Sequence, residues 1–172
     1  MQNGWKGAVK LRVNADAMTL YAVTDRTWVK DTTLMDQVKE ALEGGITFLQ
    51  LREKHLSKEE FIKEAREMKE LSKEYKVPFV INDNIEVALA VDADGVHIGQ
   101  DDMSVEEARK LLGEDKIIGV SAHNVEEAIK AQKGGADYLG VGAVCATSTK
   151  KDANVVSKEE IKKICHTVEI PV

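Results

Sequence analysis

Short apolar runs and longer amphipathic stretches take turns along this chain. LYAV, ITFLQL, PFVI, GVHI, KIIGV and YLGVGAV are runs of the length of a buried strand. Between them, LMDQVKEALE, KEEFIKEAREMKELSKEYK, IEVALAV, VEEARKLL, VEEAIKAQK and SKEEIKKICHTV place apolar residues at helical spacing with charge on the other face. Ser57 with Glu60, Ser104 with Glu107, Asn124 with Glu127 and Ser157 with Glu160 are helix-start signals. Gly44 and Gly45 stop the first helix. Ile46 to Leu51, Ala93 to Ile98 and Ala136 to Val141 repeat in register at offsets of 47 and 43 residues, each after a helix end. Repeated helix-turn-strand units imply parallel βα packing.

The fold class expected is therefore α/β, and specifically a (β/α)8 TIM-type barrel. A Rossmann sheet is the competitor, but no G-x-G-x-x-G opens a helix after a strand. Residues 1–18 have weak periodicity and read as an N-terminal arm or short extra helix, leaving 19–172 as the barrel domain. Six full strands are expected, with a seventh begun at Ile170 to Val172, so the barrel is expected to be truncated within strand 7.

Composition narrows the partners. The chain has 172 residues, one domain's worth, and a formal charge of -6, which disfavours nucleic acid or a membrane surface as the main partner. Its two cysteines, Cys145 and Cys165, show no CxxC spacing and fit a reducing cytoplasm. No apolar run approaches the ~18 residues of a membrane span, and no signal-peptide core is visible, so a cytoplasmic location is expected.

In parallel α/β folds the carboxyl ends of the strands open onto one ligand-binding face. Asp83 and Asp102 fall at two such ends, 19 residues apart in sequence. Two carboxylate oxygen donors without matching His or Cys suit Mg2+, which takes one or two carboxylates plus water and substrate phosphate. Asp83 followed by Glu86 also has capping-box spacing, so a helix cap is an equally open role for it. Gln50, Arg52 and Lys54 alternate along one strand end and point the same way; the alternative for Arg52 and Lys54 is a pair of surface ion pairs with Glu53 or Glu59. Asp25, Arg26, Asn82, Ser121 and His123 also lie at strand ends. Thr147, Thr149 and Lys150 give a loop with phosphate-binding chemistry. A metal with Arg and Lys around a diphosphate stabilises a leaving pyrophosphate.

LYAVTDR, QLREK, the Asn-Asp of VINDN, ADGVHIGQDD, IGVSAHNVEEA, GADYLGVGAV and TSTKKDA, in this order, resemble the thiamine phosphate synthase family from Thr19 onward. The resemblance implies condensation of 4-amino-2-methyl-5-hydroxymethylpyrimidine diphosphate with 4-methyl-5-(2-hydroxyethyl)thiazole phosphate, giving thiamine phosphate and pyrophosphate. It implies Mg2+ on Asp83 and Asp102, the diphosphate on Arg52, Lys54, Asn82 and Lys150, the pyrimidine side on Gln50 and Ser121, and the thiazole phosphate on Thr147 and Thr149. Arg52, Lys54, Lys150 and Ser121 are then the catalytic residues. His123 is read as orienting or packing, and His97 as barrel filling. Ala143, Cys145 and Ala146 stand where the family pattern has prolines and an aromatic residue. The partners expected are small-molecule substrates, and a homo-oligomer is compatible with the reading. A thiazole tautomerase-like isomerase using His123, or an inactive truncated barrel, are the alternatives.

Overall fold

In the computed structural model, which describes residues 12–13, 15–145 and 155–172, the apolar runs form strands and the amphipathic stretches form helices. After a 3-10 turn at Asp16–Met18 come β1 (Tyr21–Val23), a second 3-10 turn (Arg26–Trp28), α1 (Leu34–Glu43), β2 (Phe48–Leu51) and α2 (Lys58–Glu74). Next are β3 (Phe79–Asn82), α3 (Ile85–Ala90), β4 (Gly95–Ile98), α4 (Val105–Leu112) and β5 (Ile117–Ala122). α5 (Val125–Gly134), β6 (Tyr138–Val141) and α6 (Lys158–Thr167) complete the order. All neighbours pair in parallel, and the sheet order follows the chain from β1 to β6.

The six full strands expected are present, but the expected TIM-type barrel, cut short within strand 7, is not what forms. Among the described residues β1 pairs with β2 alone and β6 with β5 alone, so the sheet is an open, curved half-barrel of six strands. Closure needs strands that bridge the two outer edges. The segment Ile170 to Val172, expected to begin a seventh strand, contributes one backbone bond to β6, from Leu139 N to Pro171 O at 2.9 Å, and is not a strand. Two bonds to Gln132 Oε1 of α5, from Glu169 N at 2.6 Å and Ile170 N at 3.3 Å, hold that segment in place.

The helix starts behave as the spacing requires. Ser57, Ser104, Asn124 and Ser157 each accept the backbone N–H of the glutamate three residues on. Asp83 does not cap α3: Asn84 takes that position and accepts from Val87 N. The capping role left open for Asp83 is thereby removed.

Alternation along each strand gives the sheet two different faces. Leu49, Leu51, Phe79, Ile81, Val96, Ile98, Ile118, Val120 and Leu139 face outward into one core with the helices. Each such side chain, fully buried, contributes roughly 1.5–3 kcal/mol. Inward, Phe48, Val80, Ile117 and Tyr138 form a smaller apolar floor with Val13, against which Met18 and Tyr21 pack. Above that floor the inward positions become polar: Gln50, Asn82, His97 and Ser121.

Candidate functional site

The concave face of the half-barrel encloses a cavity of about 500 Å³. Tyr21, Gln50, Arg52, Asn82, His97, Ser121, His123 and Tyr138 supply its polar lining, and the β6 end through Ala143 forms one side. A pocket of this size with a few convergent polar groups is the usual form of a small-molecule site.

A continuous chain of hydrogen bonds crosses its floor. Gln50 Nε2 donates to Tyr21 Oη (2.7 Å), which shares a bond with Tyr138 Oη (2.6 Å). Tyr138 Oη meets His97 Nδ1 (3.0 Å), and His97 Nε2 meets Ser121 Oγ (3.0 Å). Residues from five strands are thus linked. Burial pushes the Tyr21 phenol up to about 12 against the bonds from Tyr138 and Gln50, and burial raises Tyr138 well above its ordinary value. Both phenols are neutral donors at physiological pH. Room for the Tyr138 ring exists because its neighbour on β5 is Gly119, where a Cβ would fall 2.0 Å from Tyr138 Cζ.

Gln50 and Ser121 are in this network, and Arg52 and Asn82 line the same cavity, as the strand-end reading requires. Thr24 fixes the Arg52 backbone by accepting its N–H at 2.9 Å. His97 fills the interior as expected and also joins the chain of bonds. His123 lines the cavity, with its backbone N–H at 2.8 Å and its Nδ1 at 2.9 Å from Glu127 Oε2. That is an orienting contact. Tyr21 and Tyr138 were not singled out from sequence, and only curvature of the sheet brings residues 117 positions apart together.

The acidic pair sits beside the cavity at the ends of β3 and β4 and is not among its lining residues. Asp83 has left-handed backbone (φ 60°), a conformation that Asp tolerates better than most residues, and its N–H bonds to His97 O at 2.8 Å. Its Oδ2 receives Lys54 Nζ at 2.7 Å. Asp102 accepts Gly99 N at 2.7 Å, and its carboxyl also interacts with that of Asp83. Burial pushes Asp83 up, but the Lys54 ammonium and the bond to Asp102 prevail and hold it below the ordinary range. Burial raises Asp102, the Gly99 N–H opposes the rise, and the Asp83 charge adds to it. A proton therefore enters the pair at Asp102 first.

Two facing carboxylates and an ammonium make a site for a hard cation and a polyanion together. No group of three or more His, Cys, Asp or Glu able to hold a metal exists among the described residues. An ion that accepts two protein oxygens and takes its other ligands from water and phosphate fits that donor set. Thr147, Thr149, Lys150 and Ala146 lie outside the described residues. Ala143 lines the cavity and accepts Val156 N at 2.8 Å, and Cys145 is exposed. No helix among the described residues is long and apolar enough to cross a membrane.

Comparison with known proteins places this geometry among relatives. The family model described as thiamine monophosphate synthase matches residues 20–172. The thiamine-phosphate synthase of Clostridium acetobutylicum is 55% identical over 153 residues, covering 89% of this chain and 72% of the relative. That of Clostridium tetani is 50% identical over 154 residues, covering 90% and 74%. The solved thiamine phosphate pyrophosphorylase from Pyrococcus furiosus superposes with a TM-score of 0.83 at 41% identity, over 95% of this chain and 75% of that one.

Proposed function

The chain belongs to the thiamine monophosphate synthase family, and on that premise we propose that it joins 4-amino-2-methyl-5-hydroxymethylpyrimidine diphosphate to 4-methyl-5-(2-hydroxyethyl)thiazole phosphate. The observation that carries the site assignment is the meeting of Lys54, Asp83 and Asp102 at the ends of neighbouring strands, beside a cavity lined by Arg52 and Asn82. Nothing in that set is a strong nucleophile, and none is needed.

The reaction is a substitution at the pyrimidine's exocyclic carbon. The carbon–oxygen bond breaks with its electron pair passing to pyrophosphate, and the thiazole nitrogen lone pair forms the new carbon–nitrogen bond. Delocalisation over the aminopyrimidine makes a dissociative course accessible, provided the departing charge is neutralised. Arg52 and Lys54, with Asn82 and Lys150, hold the diphosphate in this reading. Asp83 and Asp102 would hold Mg2+, which when bound would supply further neutralisation of the departing charge. Gln50 and Ser121 orient the pyrimidine, each fixed by its neighbour in the phenol and imidazole chain. Thr147 and Thr149 hold the thiazole phosphate. The protein's contribution is positioning and electrostatics in a cavity of restricted shape.

Pyrophosphate release measured with both substrates and Mg2+ tests the reading. The expected result is release that requires all three. Release with the pyrimidine diphosphate alone at the full rate, or none at all from the folded protein, overturns it.

A further inference from the structure

Arg52 lines the cavity and Lys54 reaches Asp83 beside it, and the side chain between them goes elsewhere. Glu53 is buried, with its side chain 3% exposed, and its Oε1 lies 2.7 Å from Arg26 Nε. Among the described residues that oxygen is the one buried side-chain atom that receives no aligned hydrogen bond. An ion pair holds it instead. The other side of the Arg26 guanidinium binds Glu64, with Nη2 to Oε1 at 2.6 Å. Arg26 belongs to the 3-10 turn after β1, Glu53 to the segment after β2, and Glu64 to α2. One guanidinium therefore ties three parts of the fold together, at the residue between the two cations.

Stability does not explain this arrangement. Removing carboxylates from water costs about what their ion pairs return, and apolar packing of the same volume is often as stable. Geometry does explain it. Arg52 lines the cavity while Glu53, the next residue, packs against Arg26, and the peptides flanking Glu53 carry Arg52 and Lys54, so anchoring Glu53 restricts where both cations start. The backbone of the same segment is held from β1 by Thr24, which bonds both Arg52 N (2.9 Å) and Arg52 O (3.4 Å). We propose that Arg26, Glu53 and Glu64 are positioning residues that set the spacing and direction of Arg52 and Lys54 toward the leaving diphosphate. The inference rests on the reading that those two cations hold that group.

Calorimetric titration with inorganic pyrophosphate and Mg2+, with steady-state kinetics for each substrate, tests it. Glu53→Gln keeps the volume and removes the charge. Its pyrophosphate affinity is expected to fall roughly ten-fold, the scale of losing a partner that orients a binding group. KM for the pyrimidine diphosphate rises in parallel, while KM for the thiazole phosphate and the melting temperature stay near wild type. In a protein already carrying Arg52→Ala and Lys54→Ala, Glu53→Gln should leave the residual kcat/KM unchanged. Arg26→Lys, which retains the charge, is expected to lose less than Arg26→Gln.

A Glu53→Gln variant with wild-type pyrophosphate affinity overturns the inference alone, provided Arg52→Ala abolishes binding. Equal losses for both substrates with a lowered melting temperature also overturn it, because they mark a merely structural role. Pyrophosphate binding that survives Arg52→Ala and Lys54→Ala removes the underlying reading, and the inference with it.

Discussion

The two faces of the same six strands obey different rules. The outward face is filled by Leu, Ile, Val and Phe side chains that pack into one apolar cluster with the helices, so many combinations of similar volume would serve. On the inward face, Gln50, Tyr21, Tyr138, His97 and Ser121 each have a specified partner at 2.6 to 3.0 Å. Replacing any one of them unpairs a neighbour. Because alternate residues of a strand point oppositely, the chain can build its core and its site from the same short segments without compromise between them.

The sharpest way to break that comparison is at the rim. Asp83→Asn tolerates the left-handed backbone there, and Asp102→Asn keeps an oxygen for the Gly99 N–H. Each is expected to lower kcat/KM by ~100-fold or more, on the scale of removing one electrostatic stabiliser, with melting temperature nearly unchanged. Full activity in either would separate the acidic pair from the chemistry.

Ile81→Ala does the opposite on the outward face. A fully buried side chain is removed from the main core, so stability should fall by about 2–5 kcal/mol in denaturant titration, with kcat of the folded protein retained. Loss of kcat without loss of stability would show that the faces are not independent.

The smallest effect concerns the loop carrying His123. Burial pushes Glu127 up, but its bonds from the His123 ring and backbone hold it below the ordinary glutamate range. A depressed carboxylate gives stability that is present above its unfolded pKa and lost as pH falls through the folded one. Melting temperature should therefore drop on acidification below about pH 4.5, and Glu127→Gln should flatten part of that drop. An unchanged acid limb in Glu127→Gln would deny the contact any role in holding the loop.

Much of this was legible in the sequence. The placement of Gln50 and Arg52 on one cavity wall follows from local spacing, as do the serine and asparagine helix starts, whereas Lys54, in a bend beyond the end of β2, turns to Asp83. Asp83 was ambiguous because Glu86 stands at capping-box spacing from it; the structure decides against the cap, with Asp83 in left-handed backbone and Asn84 accepting the Val87 N–H. The pairing of Tyr21 with Tyr138 was invisible, since it depends on how far the sheet curls. The six full strands were countable from the apolar runs, and the barrel failed for a related reason: a repeat pattern fixes each unit but not whether the units close a ring.

The contact between those two phenols also sets an order of events. It links residues 117 positions apart, so the bond between the phenols, and that from Tyr138 to His97, form only once the sixth strand has docked. The outer layer packs between sequence neighbours, whereas the inner chain of bonds is complete only with the last strand in place.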